Sequence, residues 1–230
     1  MNIIEMDQLD QIAASAFPGY LVRKDLVRRY SKQYPVPTYV VEFLLGRYCA
    51  STVPQEIEEG LEIVEKQLQG RTVRTGNEEL FKARARENGS VRLIDIIRAK
   101  LNIKNDTYEA EMPSLALNQV QISDSLVREN ERMLTDGFYA EVTLEYDPVL
   151  AEERHGNPFR ISTLRPIQMS NPNVLNALKK GRQSFTTEEW KKFLMRSAGL
   201  EPELFSQRAL MVVLLRMIPF VEKNYNLVEI

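Results

Sequence analysis

Few side chains in this sequence have the types and spacing to do chemistry, and most of those that do are cationic. There is one histidine, His155, and one cysteine, Cys49. A zinc site built from His and Cys needs more ligands than these two supply. A lone cysteine leaves no internal disulfide and fits a reducing, cytoplasmic compartment. A Ser-His-Asp arrangement would have to use His155, which stands among Glu152, Glu153, Arg154 and Gly156 and reads as an exposed loop residue. Glu58 and Glu59, like Glu152 and Glu153, are adjacent rather than facing, so neither pair can divide general-acid from general-base work. The patterns GxxxxGK followed by Ser or Thr, GxGxxG, HExxH, CxxC and GxSxG do not occur.

What remains is the distribution of charge. The total is only −2, yet residues 23–32 hold Arg23, Lys24, Arg28, Arg29 and Lys32 against Asp25 alone. Residues 71–100 carry eight basic groups against four acids, and 179–196 carry six against two. Residues 105–153 run the other way, with twelve acids against Arg128 and Arg132. Clustered Lys and Arg are the groups that neutralise nucleic-acid phosphates. Any one cluster alone is also what a solvated helix face looks like.

These groups must be positioned by ordinary globular elements. With 230 residues, 43% of them hydrophobic and 27% charged, the chain can bury a sizeable core and is not a disordered or disulfide-stapled class. The longest unbroken apolar run, 209–215, is far short of the ~20 residues of a membrane span. The opening MNIIEMDQLDQ has no basic region, so no secretory signal is expected.

Residues 1–89 read as a helical N-terminal subdomain. Ile57, Leu61, Val64 and Leu68 recur at helical spacing between Pro54 and Gly70, and 39–48 is a dense apolar helix with Pro37 at its mouth. The stretch 19–48 could be two packed helices or a helix-turn-helix reader. Residues 71–90 could be a linker or a short exposed helix. From Ser90 to residue 169 the period becomes two, with strands at 92–102, 107–112, 118–123, 138–147 and 159–167. An amphipathic helix carrying Leu126, Val127, Asn130, Met133 and Leu134 on one face precedes the fourth strand. That order predicts a five-stranded OB-like β-barrel, so the fold class is α+β. Tyr108, Phe138, Tyr139 and Tyr146 fall on or beside the apolar alternation and are expected in the core rather than as stacking platforms.

Residues 170–230 turn helical again. Thr186 and Glu189 form a capping box, Phe185 and Trp190 a hydrophobic staple, and Gly199 ends that helix. The next helix is apolar nearly all round at 210–215 and is expected to be buried, packing on something beyond this chain. YNLVEI at 225–230 reads as a β-strand that stops at the final residue, which suggests a truncation.

Several stretches now resemble a known family. FPGYLVRKDL at 17–26, VPTYVVEFLLGRYCAS at 36–51, LRPIQM at 164–169, FTTEEW at 185–190 and LLRMIPFVEKNYNLVEI at 214–230 are similar, in order, to the N-terminal part of the BrxL family, the Lon-related proteins of BREX bacteriophage-exclusion systems. The resemblance implies a phage-defence AAA+ ATPase that binds DNA and assembles as a ring, a hexamer or dimer of hexamers, similar in build to MCM helicases and with a Lon-like C-terminal region. In that family a strand like 225–230 leads into a Walker A loop, so 170–230 would be the helical start of an AAA+ module. ATP and Mg are implied for the full-length protein only. This chain by itself is expected to carry no catalytic motif and no cofactor.

Under this resemblance the implied partners are DNA, contacted through phosphates without sequence reading, further copies of the chain, and other BREX proteins, with no membrane. The residues expected to contact DNA are Arg98, Lys100 and Lys104 first, then Arg84 and Arg86, with Arg92 on the first strand and Arg154 and Arg160 around the loop between the last two strands. Glu141, Glu145 and Asp147 on an outward face would repel DNA. The alternative is a protein-interaction or oligomerisation module with no direct DNA contact.

Overall fold

The computed structural model describes residues 6–18, 21–152, 157–167 and 174–228. Its first helices are α1 (Gln8–Ala16), α2 (Lys24–Tyr30), α3 (Thr38–Tyr48), α4 (Pro54–Arg71) and α5 (Glu78–Asn88). Pro54 occupies the first turn of α4, where its missing N–H costs nothing. Ile57, Leu61, Val64 and Leu68 then form the buried stripe. Gly70 does not end this helix. It runs one residue further, and the Thr72 hydroxyl donates to the Leu68 carbonyl at 2.5 Å. α3 starts behind Pro37 and buries Val40, Val41, Leu44 and Leu45 against α4 and against Leu26, Val27 and Tyr30 of α2. α2 and α3 are therefore two packed helices sharing one core with α4.

α5 corrects the expectation of a linker or exposed helix. Phe81 and Ala85 are 1% and 0% exposed and enter the core of the sheet. Only this pair, four residues apart, marks the buried stripe of an otherwise charged helix, which is why the sequence reads as exposed.

The strands are β1 (Ser90–Asn102), β2 (Thr107–Met112), β3 (Leu117–Gln121), β4 (Phe138–Tyr146) and β5 (Phe159–Pro166). They are ordered β1-β2-β3-β5-β4, and β4 returns to β1, so the five-stranded sheet closes on itself. β1 is long enough to serve two partners. Ser90 to Ile97 pair with β4, and Arg98 to Asn102 pair with β2. β3 and β5 meet in parallel at Gln121 and Arg160. The closed interior holds Leu93, Ile97, Ala110, Met112, Val120, Val142, Leu144 and Ile161. Phe138 belongs to the same core, Tyr108 and Tyr146 pack against it, and Tyr139 packs on the helical core, so these aromatics are structural.

Two local expectations change between β3 and β4. The third strand stops at Gln121 because Ser123 becomes the N-cap of α6 (Asp124–Glu129), accepting from the Leu126 N–H. The amphipathic helix is not continuous. It breaks at Asn130, and a 3₁₀ turn (Glu131–Leu134) follows, leaving Met133 buried but Leu134 exposed. Gly137 then admits the chain to β4 with φ +76°, and a Cβ there would lie 2.4 Å from the Ile97 carbonyl oxygen. Only glycine meets both conditions.

After α7 (Pro148–Glu152) and β5 come α8 (Val174–Arg182), α9 (Thr187–Ser197) and α10 (Gln207–Met217). The Thr186–Glu189 capping box is present, and the Phe185 and Trp190 rings lie 5.4 Å apart. α1 packs here, on α8 and α9, through a cluster that includes Ala13, Phe17 and Phe185. α10 departs from the expected burial. Leu210 is covered, but Met211, Val212 and Leu215 are 48%, 41% and 43% exposed, because no described element lies over that side of the helix. Residues 225–228 form no strand: a strand needs a neighbour to take its backbone hydrogen bonds, and none is paired with them. Residues 229–230 lie outside the described residues.

Candidate nucleic-acid interface

Alternation along β1 points Arg92, Arg98 and Lys100 outward, since Leu93, Ile97 and Ala99 point in. The ladder then decides what each cation meets. On the β1–β2 side, Arg98 stands opposite Glu111 and Lys100 opposite Glu109. Lys100 Nζ lies 2.6 Å from Glu111, and that hydrogen bond holds its ammonium above the usual lysine pKa. Arg98 Nε donates to the Asp136 carbonyl at 3.2 Å, and Asn102 donates to Glu109 at 2.6 Å. Lys104 sits in the turn before β2, exposed, and makes no ion pair with a described residue. This hairpin is close to charge balance.

Arg160 is likewise committed, to Glu145 at 2.8 Å and Asp147 at 3.9 Å. The Ser162 hydroxyl, and after it Arg160, hold the Glu145 carboxyl below the usual range. Arg84 and Arg86 project from α5. Arg84 lies over the Phe81 ring at 5.7 Å, and Arg86 is exposed. Arg154 lies outside the described residues, as does His155.

The outward face of β1, β4 and β5 is different. Arg92 stands opposite Thr143, and Thr143 opposite Thr163, whose hydroxyl donates to that of Thr143 at 2.7 Å. One rung along, Glu141 stands opposite Arg165. Glu141 is met from the helical layer by Arg47 at 3.3 Å and Arg71 at 3.7 Å. Two arginines thus contact Glu141, Arg165 stands across the ladder from it, and Arg92 lies one rung away beside the two threonine hydroxyls; the same outward face continues to Glu145 and Arg160. Glu141 and Glu145 lie on the outward face as expected, and with Asp147 each has an arginine within 4.0 Å, Arg160 serving both Glu145 and Asp147. Arg92 was among the residues expected from sequence, whereas Arg47, Arg71 and Arg165 were not. Arg165 carried a signal, as an outward position of the last strand. Arg47 and Arg71 carried none, since only tertiary packing brings α3 and α4 to β4.

A second unforeseen group lies inside. Asp95 shares the inward parity of Leu93 and Ile97 and is 1% exposed. Its Oδ1 accepts from the Ile96 N–H at 2.7 Å, while its Oδ2 has no partner within hydrogen-bond geometry among the described residues. Burial pushes the carboxyl up to about 6, against smaller downward contributions from Ser114 and the Ile96 amide. An acid at an apolar position of β1 was the available signal.

Among the described residues no cluster of His, Cys, Asp and Glu could hold a metal ion, and no helix is long and apolar enough to cross a membrane. Two family models match the chain. That of the BREX system Lon protease-like protein BrxL N-terminal covers residues 15–146, and that of the Lon-like protease BrxL-like ATPase domain covers 159–230. The chain is similar to the Lon-like protease BrxL of Escherichia coli O9:H4 (strain HS), 38% identical over 222 residues, or 96% of this chain and 32% of that protein. It is also similar to the Lon-like protease BrxL of Bacillus cereus (strain H3081.97), 39% identical over 226 residues, or 98% of this chain and 33% of that protein. The chain spans about a third of the length of these curated relatives. Matches of this extent, running in order along nearly the whole chain, place it in the BrxL family of Lon-like BREX proteins.

Proposed function

We propose that this region is the DNA-contacting, ring-assembling part of a phage-defence AAA+ ATPase, and that the arginine face of β1, β4 and β5 meets the phosphates. The observation that carries this reading is the outward pair Arg92 and Arg165 on either side of β4, where Glu141 is already paired with Arg47 and Arg71 and Glu145 with Arg160. The closed order β1-β2-β3-β5-β4 fits the OB-like barrel expected from the sequence, a scaffold often used on oligonucleotides, and the ring and the likeness to MCM helicases are carried over from the family resemblance. The arrangement suits phosphates rather than bases, because arginines and hydroxyls on a sheet face neutralise a backbone and read no sequence. In this reading Lys104 and the α5 arginines, Arg84 and Arg86, make phosphate contacts of their own.

ATP and Mg are proposed for the longer protein and not for these residues. The described parts of the ATPase-matched stretch present no glycine-rich loop with a lysine that could cradle phosphates.

The test is fluorescence-anisotropy binding of the chain to a labelled duplex and a labelled single strand across a salt series. Binding whose logarithm falls linearly with log salt is expected, with a shallower slope for Arg92→Glu/Arg165→Glu. No binding at low salt, or a slope that the double reversal leaves unchanged, overturns the reading. One observation favours the alternative of an oligomerisation or protein-interaction module: the exposed Met211, Val212 and Leu215 of α10. Under that alternative, Met211→Ser/Leu215→Ser lowers the mass seen by sedimentation, and DNA is not bound.

A further inference from the structure

We infer that α1 is a strap that fixes the position of the C-terminal helices α8–α10 relative to the N-terminal helices and the sheet. α1 lies at one end of the chain, but its apolar stripe, Leu9, Ile12, Ala13 and Ala16, packs with helices from the other end. None of these residues enters the core shared by α2, α3 and α4.

The seat is cut for it. The Phe17 ring stacks on Phe193 at 5.4 Å and on Phe185 at 6.0 Å, with Trp190 at 6.3 Å. Gly181 of α8 leaves the room, because a Cβ there would lie 2.2 Å from the Phe17 ring. A charged latch closes the other end of α1. Arg196 of α9 reaches Asp7 at 2.6 Å, Asp10 at 3.0 Å and Glu201 at 3.3 Å. Asp7 is also the N-cap of α1, its Oδ1 accepting from the Asp10 N–H at 2.9 Å. The residue that latches the helix therefore also starts it.

Leu21 packs in the same cluster as Phe17 while the adjacent Val22 packs on the core of α2, α3 and α4, and Arg28 of α2 donates to the Gly199 carbonyl just past α9. Any displacement of α8–α10 therefore pulls on α2 through α1, or must first unseat Phe17 and break the Arg196 latch. The strap ties α8–α10, which lie within the stretch matched by the ATPase-domain model (159–230), to the helices matched by the N-terminal model (15–146), whereas β5 of that stretch is already part of the sheet. A movement in the first is felt by the second. This inference stands apart from the DNA reading and needs no ligand.

The test uses the whole 230-residue chain with spin labels on Thr107→Cys and Lys179→Cys, Cys49 being buried. The parent is expected to give one narrow distance distribution by pulsed electron spin resonance. Gly181→Leu, which expels Phe17, is expected to broaden it, with α1 amides exchanging on the order of tenfold faster. Arg196→Gln, a change at the rim that leaves the aromatic seat intact, is expected to broaden it less. It covers the case in which Gly181→Leu fails to fold. The exchanged pair Asp10→Arg/Arg196→Asp is expected to restore part of the narrowness lost in Arg196→Gln. A distribution that stays narrow in the folded variants while α1 exchanges freely overturns the inference, since α1 would then only decorate helices positioned by other contacts.

Discussion

The β1–β2 hairpin and the β1–β4–β5 face share one strand and carry the same residue types, yet they end with different electrostatic character. On the hairpin, Arg98 and Lys100 stand in register with Glu111 and Glu109, and the lysine is taken up by a carboxylate at 2.6 Å. On the other face, Arg92 and Arg165 flank β4, whose outward acids are already taken up, Glu141 by Arg47 and Arg71 and Glu145 by Arg160. The charge of a segment is thus a poor guide to the charge of a face. Residues 105–153 are strongly acidic in sequence, but Glu111, Glu141, Glu145 and Asp147 are met by cations from other elements.

The sharpest way to break this comparison is to reverse both members of the open face. Arg92→Glu/Arg165→Glu is expected to weaken DNA binding by about a hundredfold at moderate salt and to lower the log–log salt slope by about two. Anisotropy titrations check it, and an equal loss from Arg98→Glu/Lys100→Glu would erase the distinction between the regions.

Asp95 lies on β1 beneath the open face, opposite Ala140. Its carboxyl titrates at about 6 in the native state against 3.8 unfolded, so the native state holds the proton more tightly. Stability should therefore rise as pH falls through about 6 and level off near 4, a gain on the order of 2–3 kcal/mol. In Asp95→Asn that rise should be lost, with stability at pH 8 at or above the parent's. Thermal unfolding followed by circular dichroism from pH 8 to pH 5 measures both.

Gly137 sits where the two regions meet, against Ile97 and Arg98. Gly137→Ala is expected to cost about 2 kcal/mol in urea unfolding, because a Cβ there strains a positive φ and strikes a carbonyl. The smallest effect belongs to the balanced hairpin: Lys100→Gln should leave DNA affinity within about threefold, since an exposed ion pair holds little in reserve.

Much of the frame was legible because alternation and capping are local. β2 lies at Thr107–Met112 as its alternation requires, β4 follows its own within one residue, and the capping box of α9 forms at Thr186 and Glu189. Failures came where a residue's fate depends on distant parts of the chain. Two apolar residues sufficed to bury α5 because the sheet had an open end for Phe81 to fill. Asn130 broke a helix whose apolar spacing was otherwise regular. α10 looks like core and is open on one side. The site was legible only at Arg92, because outward parity can be read from a strand whereas register cannot. Whether Lys100 meets a glutamate, or Glu141 two arginines, depends on pairings between elements far apart in sequence.

The closed sheet has one thin seam. Four of its five junctions are antiparallel and run over several residues, while the β3–β5 ladder is one parallel pair, Gln121 and Arg160, with a side-chain bond from Asn157 to the Asn118 carbonyl beside it. The β1–β2 hairpin needs only a short turn to form, so it can nucleate early. The seam joins strands nearly forty residues apart and must wait until both neighbouring ladders stand. Order of assembly and order of loosening then mirror each other. The last junction to zip is the first to part, and the sheet can open there like a cuff while β1 keeps both of its partners.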